Sequence, residues 1–393
     1  MASFDDDMTP AAIPRPGKSG KGPMIAMIVI GLALVGGLGF ALYYFLGGSS
    51  YHDTEMLAYL PANTEVVLSI DVDELLNSGK VKESINRVTA KEKDPFKEMN
   101  DKLAPAGLSI NDISRMVVGM NKGSDVPVVA VRFKKSFDKK KLAEVFKAEE
   151  KKEGDKTYYV DKSGQHLFFP TDKMLVACPK ESFKELFDKD SSKLLISAEL
   201  QNLCKKMSKG QLWVAAVKSI APTEFYANLE EAKKGRVPYL TPELIDLVKD
   251  AKGGGFWTKL DGDNYKFGIG VMGNNDDAAG KAETALKKEI DEQKKKKIED
   301  DALVGAAIKD MPAETRTFFT ELQKSLAVSR SGAIVEVTGN FSFGMVEKAA
   351  EAYANRKREF PPPQFPSPPP TIKTAPPPEK ADAKPQGEPI EPK

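Results

Sequence analysis

Three short stretches of the sequence carry residue types that chemistry could use. The first is Ala12-Ile13-Pro14-Arg15-Pro16-Gly17-Lys18-Ser19, which has the spacing of a relaxed phosphate-binding loop with alanine for the first glycine. Such a loop works only where a strand enters it and a helix leaves it, so that successive backbone N–H groups point at phosphate. Here two prolines lie inside the loop and a long uncharged run begins just beyond it. Proline removes the donors that the chemistry needs. Arg15, Lys18 and Lys21 are better read as the positive flank of that run.

The second is Cys178 with His166, expected on neighbouring strands of one hairpin, where a histidine could draw the proton from a thiol. No oxyanion-hole signature accompanies the pair, and a cysteine also serves as a small buried hydrophobe. Cys204 is the other cysteine of the chain. A Cys178–Cys204 disulfide suits an oxidising compartment, and the sequence leaves that pairing open. The third comprises Asp71-Val72-Asp73-Glu74 and Asn274-Asn275-Asp276-Asp277. Each falls where a strand should give way to a helix, so the side-chain oxygens are expected to cap free N–H groups. A calcium loop would want a different spacing and a later bidentate glutamate. Neither a GxSxG nor an HExxH motif is present.

Composition narrows the chemistry further. Two histidines and two cysteines among 393 residues leave no room for a Cys/His zinc site, a CxxCH haem site or a disulfide scaffold. No cofactor and no metal is therefore expected, and no catalytic residue is nominated. The formal net charge of +1 argues against nucleic acid as a partner, which would favour a basic excess. Hydrophobic residues make up 41% and charged residues 29%, the balance of a folded globule for most of the length.

The elements that must position these residues begin with an anchor. Met24 to Leu46 contains no charged side chain. A helix of that length spans ~35 Å at ~1.5 Å per residue, enough for a ~30 Å hydrocarbon core. Arg15, Lys18 and Lys21 precede it, and no lysine or arginine follows until Lys80. The positive-inside rule then makes residues 1–23 cytoplasmic and everything after Gly47 extracytoplasmic, on a single-pass protein of the plasma (inner) membrane. A cleaved signal peptide would have a shorter apolar core and an A-x-A-like site, which the Leu46-Gly47-Gly48-Ser49-Ser50 sequence lacks. Ala33, Gly37 and Ala41 share one helix face, a stripe that could let two membrane helices approach. Gly and Ala are also simply common in such spans.

Between the ends, a strand followed by a helix recurs. Glu65–Val72, Val126–Phe133, Tyr265–Gly273 and Ala333–Phe341 each lead into a helical pattern with apolar residues at three- and four-residue spacing. Hairpin turns at Gly262–Asn264 and Pro170–Lys173 favour antiparallel pairing. The expected class is α+β: antiparallel sheets with packed helices, in two similar halves at 51–195 and 196–358. Residues 359–393 hold most of a proline run, 13 of the chain's 27 prolines falling after Glu359. That segment is expected to be a disordered, polyproline-II-like tail, a spacer of up to ~105 Å at ~3.1 Å per residue. Pro363-Gln364-Phe365-Pro366 also fits a PxxP docking peptide.

One resemblance emerges from these residues. Leu60-Pro61-Ala62-Asn63-Thr64-Glu65-Val66-Val67, then Ile70-Asp71-Val72 and Leu75-Leu76-Asn77-Ser78, resembles the opening of ectodomains in planctomycete-type membrane-anchored envelope proteins of unknown function. The ending, Ser325-Leu326-Ala327-Val328-Ser329 with a final strand and helix, is similar too. The resemblance covers residues 57–355 and implies location and fold, with no catalytic residues to carry over. The expected function is a non-catalytic binding or structural module of the cell envelope, its partners the lipid bilayer and an envelope protein or polymer. The alternative is a membrane-tethered hydrolase with an unrecognised site.

Thirteen prolines in the tail remove donors and leave no apolar stripe for a core. Ending the chain at Arg358 should therefore leave the melting temperature within ~2 °C of full length. Calorimetry checks this, and cooperative loss of structure would show that the tail packs against the body.

Overall fold

The strand-to-helix transitions are built by side chains at the strand ends. The computed structural model describes residues 54–80, 82–83, 96–121, 126–188, 193–217, 241–296 and 311–359. Strand β1 (Val66–Asp71) ends on Asp71, whose carboxylate accepts the Glu74 N–H at 3.2 Å and starts helix α2 (Val72–Asn77). Short α1 (Thr54–Leu57) precedes β1. Asn275 likewise accepts the Ala278 N–H at 2.9 Å and starts the 20-residue helix α8 (Asp276–Lys295). Both acidic clusters are thus caps, as their spacing suggested. Asp138, Ser197 and Thr241 do the same for α4 (Lys139–Val145), α6 (Ala198–Met207) and α7 (Pro242–Lys249). The remaining helices are α3 (Lys97–Leu103), α5 (Lys180–Phe187), α9 (Ala313–Ser325) and α10 (Phe343–Glu359).

Where the sequence suggested sheets in the plural, the strands join into one. They are β2 (Ile113–Met120), β3 (Val128–Phe133), β4 (Glu149–Glu153), β5 (Lys156–Val160), β6 (His166–Thr171), β7 (Met174–Cys178), β8 (Leu212–Val217), β9 (Gly253–Asp261), β10 (Asn264–Met272), β11 (Ala327–Ser331) and β12 (Ile334–Ser342). With β1 they form a single twelve-stranded sheet in the order β11-β12-β10-β9-β8-β1-β2-β3-β7-β6-β5-β4. Every neighbouring pair is antiparallel. Outward from the β1–β8 pair the order repeats: β1-β2-β3-β7-β6 on one side and β8-β9-β10-β12-β11 on the other. The β4–β5 hairpin extends the first side and, among the described residues, has no counterpart on the second.

Gln211 closes one end of the central seam. It is 7% exposed. Its Nε2 donates to the Leu260 carbonyl at 2.9 Å while its Oε1 accepts the Leu260 N–H at 2.6 Å. Its own carbonyl accepts the Asp71 N–H at 3.0 Å. A primary amide here continues the ladder with a side chain. Beside it, Arg115 Nη2 donates to Asp71 Oδ2 at 2.5 Å between the register partners of β1 and β2, both side chains buried.

Helices cover both faces of the sheet. On one face Val67, Val117, Ala130, Val176, Trp213 and Ala215 pack with Leu186 of α5 and Leu200, Leu203 and Met207 of α6. This cluster spans strands from both sides of the seam. The other face carries separate clusters under α2, under α4 and under α8. Glycines set how closely the first face can be covered. A Cβ on Gly268 would sit 2.3 Å from Nε1 of Trp257, and one on Gly255 would sit 2.7 Å from Cγ of Met207. Trp257 and Met207 therefore lie directly on bare backbone, and Leu203 over Gly253 with Met207 over Gly255 accounts for glycine at the start of β9 against the usual strand preferences.

Two glycine substitutions should act with opposite sign. Gly268→Ala drives a methyl group into the Trp257 indole and should cost about 1–3 kcal/mol, as overpacking does. Gly280→Ala in α8 meets no atom closer than 4.0 Å and should stabilise by about 0.5–1 kcal/mol. Urea midpoints of the two variants check the pair.

Candidate functional site

The sheet brings Cys178 and His166 directly opposite each other, as register partners on β7 and β6. Their surroundings are those of a core. Cys178 is fully buried, and burial pushes its thiol up to about 12. Activation of a thiol needs the opposite shift. His166 Nδ1 lies 3.2 Å from the Gly164 carbonyl, and its ring stacks on Tyr158 at 5.6 Å and packs against Phe183 at 4.6 Å. The Cys178–Cys204 pairing that the sequence leaves open is not formed: both cysteines are free and buried in the same core cluster. Cys178 sits on β7 and Cys204 on α6, which packs over β8 and β9, each cysteine packed as a small hydrophobe. Cys204 is pushed up to about 12 by burial as well.

The most deeply buried charge is Glu336, on β12, which the sequence reading passed over inside an apolar strand. It is 1% exposed. The Lys209 ammonium donates to its Oε2 at 2.7 Å and Oε1 at 3.1 Å, and Lys206 Nζ stands 3.4 Å from Oε2. Trp257 Nε1 donates to Oε1 at 2.6 Å. The Lys209 ammonium also stands 5.9 Å from the Trp257 ring centroid. Burial alone would raise this carboxyl; the Lys209 and Trp257 hydrogen bonds, with the charges of Lys209 and Lys206, outweigh it and hold the pKa below the ordinary value. Both carboxylate oxygens are occupied, so the group is a structural anion with no free lone pair aimed at solvent. The only advance signal was a lone glutamate in the run Ile334-Val335-Glu336-Val337.

Two features open to solvent. At the ends of β8 and β9, Ser197, Glu199, Asp250, Lys252 and Asn274 line a shallow cleft of about 490 Å³. On the sheet face opposite Trp257, the register partners Val337, Ile269, Phe256, Val214, Leu68 and Val118 form an apolar line across six strands. None of them is fully buried, and Ile269 is 41% exposed. Among the described residues no group of three or more His, Cys, Asp or Glu side chains could hold a metal ion. Among them, too, no helix is long and apolar enough to cross a membrane. The Met24–Leu46 run, its Ala33, Gly37 and Ala41 face, the Ala12–Ser19 loop and the proline tail after Glu359 lie outside the described residues.

No family model matches the sequence and no curated protein does. Among solved structures the chain is similar to TP0453. Crystal form I of that protein is matched over 75% of this chain and 95% of that chain, at 9% identity and a TM-score of 0.35. Crystal form III gives 75% and 96%, with 10% identity and a TM-score of 0.37. So loose a superposition leaves fold and site to be read from this chain's own residues.

The Glu336 cluster makes stability depend on pH. A carboxyl whose folded pKa lies below its ordinary value stabilises above that value and stops doing so as pH falls through the folded pKa. The contribution of Glu336 should be complete at neutral pH and fade below about pH 4.5, the unshifted glutamate value. Lys209→Met should cost about 3 kcal/mol at pH 7, because it strips the main partner from a buried charge. The penalty should shrink at pH 3 to 4. Urea titrations of both proteins across pH check this, and a penalty independent of pH would contradict it.

Proposed function

We propose that this chain is a single-pass membrane protein whose sheet unit stands outside the cytoplasm as a non-catalytic binding or structural module of the cell envelope. The observation that carries the non-catalytic reading is how completely the reactive groups are taken up. Cys178 is a buried thiol at about 12, Glu336 has both oxygens bonded, and Asp71 is divided between Arg115 and the α2 cap. Glu336 and Asp71 each hold two elements together, and Cys178 fills the core. The uncharged Met24–Leu46 run with its basic N-terminal flank supports the anchor and its direction. The resemblance to planctomycete-type envelope proteins supports the same location. On this reading residues 51–195 and 196–358 form the extracytoplasmic body, the tail from 359 reaches outward, and the partners are the bilayer and an envelope protein or polymer.

Protease added to sealed spheroplasts tests the placement. The region after Gly47 should be digested while residues 1–23 stay protected. Full protection of the sheet unit would overturn the topology.

A further inference from the structure

The two ends of the sheet are built in opposite ways. β4 reads Glu149-Glu150-Lys151-Lys152-Glu153, and all five residues are exposed. β11 reads Ala327-Val328-Ser329-Arg330-Ser331, also open to solvent apart from half-buried Val328. Among the described residues β4 pairs only with β5, and β11 only with β12. A sheet edge is a template for another strand, and charge is a common device for blocking it. Here only one end is blocked.

We infer that two copies of this chain associate edge to edge through β11, about a two-fold axis at Ser329, joining their sheets. Antiparallel pairing of a strand with its own copy about its central residue fixes which side chains meet. On β4 it would set Lys151 against Lys151 and Glu149 against Glu153 of the second copy, with Glu150 against Lys152 the one unlike pairing. Like charges directly opposite each other are destabilising. On β11 it sets Ser329 against Ser329, Ala327 against Ser331, and Val328 against Arg330, with no like charges opposed. The single charge, Arg330, is already engaged: its Nε donates to Glu283 Oε2 at 3.0 Å and its Nη1 to the Gly332 carbonyl at 3.2 Å.

The backbone has the matching phase. Ser331 and Ile334 are register partners closing a two-residue turn at Gly332 and Ala333, with Gly332 at φ 57°. A left-handed first turn residue is the geometry of a tight hairpin, whose closing pair exchanges both backbone hydrogen bonds. Bonding alternates along an antiparallel strand, so Ser331, Ser329 and Ala327 bond inward to β12. The N–H and C=O groups of Val328 and Arg330 then point outward. In the symmetric pair Val328 meets Arg330 of the second copy, and each of the two such pairs exchanges two hydrogen bonds. Ser329 falls at the non-hydrogen-bonded position on the axis, where side chains approach most closely.

The full chain in detergent, carrying Ser329→Cys, tests this by disulfide trapping under mild oxidation. The native cysteines are 0% and 1% exposed, so the new thiol is the reactive one. A covalent homodimer should form on a non-reducing gel, and faster than with Lys151→Cys on the charged edge, where Glu149 still opposes Glu153 of the second copy. Adding Ala327→Glu and Ser331→Glu places glutamates opposite each other at exposed positions and should slow trapping about tenfold. No dimer, equal rates for the two cysteines, trapping indifferent to the glutamates, or capture of a different polypeptide in place of a second copy would each overturn the proposal.

Discussion

Pairing of β1 with β8 is the constraint on which the rest of the molecule depends. It sets Val66, Val67, Leu68, Ser69 and Ile70 against Ala216, Ala215, Val214, Trp213 and Leu212. Without those five pairs the strand order separates into two smaller sheets. With them, Val67 and Ala215 become neighbours, and one apolar cluster runs from Val176 on β7 to Ile334 on β12. Antiparallel strands with one face buried have their register fixed by which side chains must point inward. A slip of one residue at the seam would put Trp213 on the face opposite Val67. Gln211, bonding Leu260 on both sides of its amide, helps to fix that register from the end.

The second dependency is the close approach of large side chains to bare backbone. Trp257 lies over Gly268, and Met207 reaches down to Gly255 and Gly270. Because α6 can settle this far onto the sheet, Lys206 and Lys209 at its C-terminal end come within reach of Glu336. A buried carboxylate without partners would be expensive. Here two lysines and an indole N–H satisfy it, and the ion cluster ties α6, which packs over β8 and β9, to β12. Packing geometry set by glycine thus decides where a charge can be buried.

Much of this organisation is legible in the amino-acid pattern. Helix starts at Asp71, Ser197 and Asn275 follow from capping chemistry, and strands such as Val128–Phe133 follow from β-branched runs. Hairpin turns announce themselves through Gly-Asp pairs. Other features have no local signature. β4 is wholly charged, so alternation cannot reveal it, and only its pairing with β5 makes it a strand. The start of β9 is three glycines, which read as loop until Leu203 and Met207 are seen lying on Gly253 and Gly255. That Cys178 and Cys204 remain separate depends on α6 packing over β8 and β9 rather than over β7, a tertiary fact. The seam itself joins segments that nothing in the intervening sequence marks as neighbours. Glu336 shows the same limit: only the fold brings to it Lys206 and Lys209, from a helix far earlier in the chain.

The seam also has a place in time. β1 finds β2 within the first part of the chain, but its other neighbour is made roughly 140 residues later. At ~5–20 residues per second of synthesis, β1 waits ~7–30 s for β8. Throughout that interval the strand that will be the centre of the sheet is an edge, with Val66 to Ile70 offering unpaired backbone groups. Neither a charge cluster like that of β4 nor a proline guards it. The molecule's most protected strand in the finished state is therefore its most exposed one during birth, and that interval is when a holding chaperone or premature pairing with another nascent chain would decide the yield.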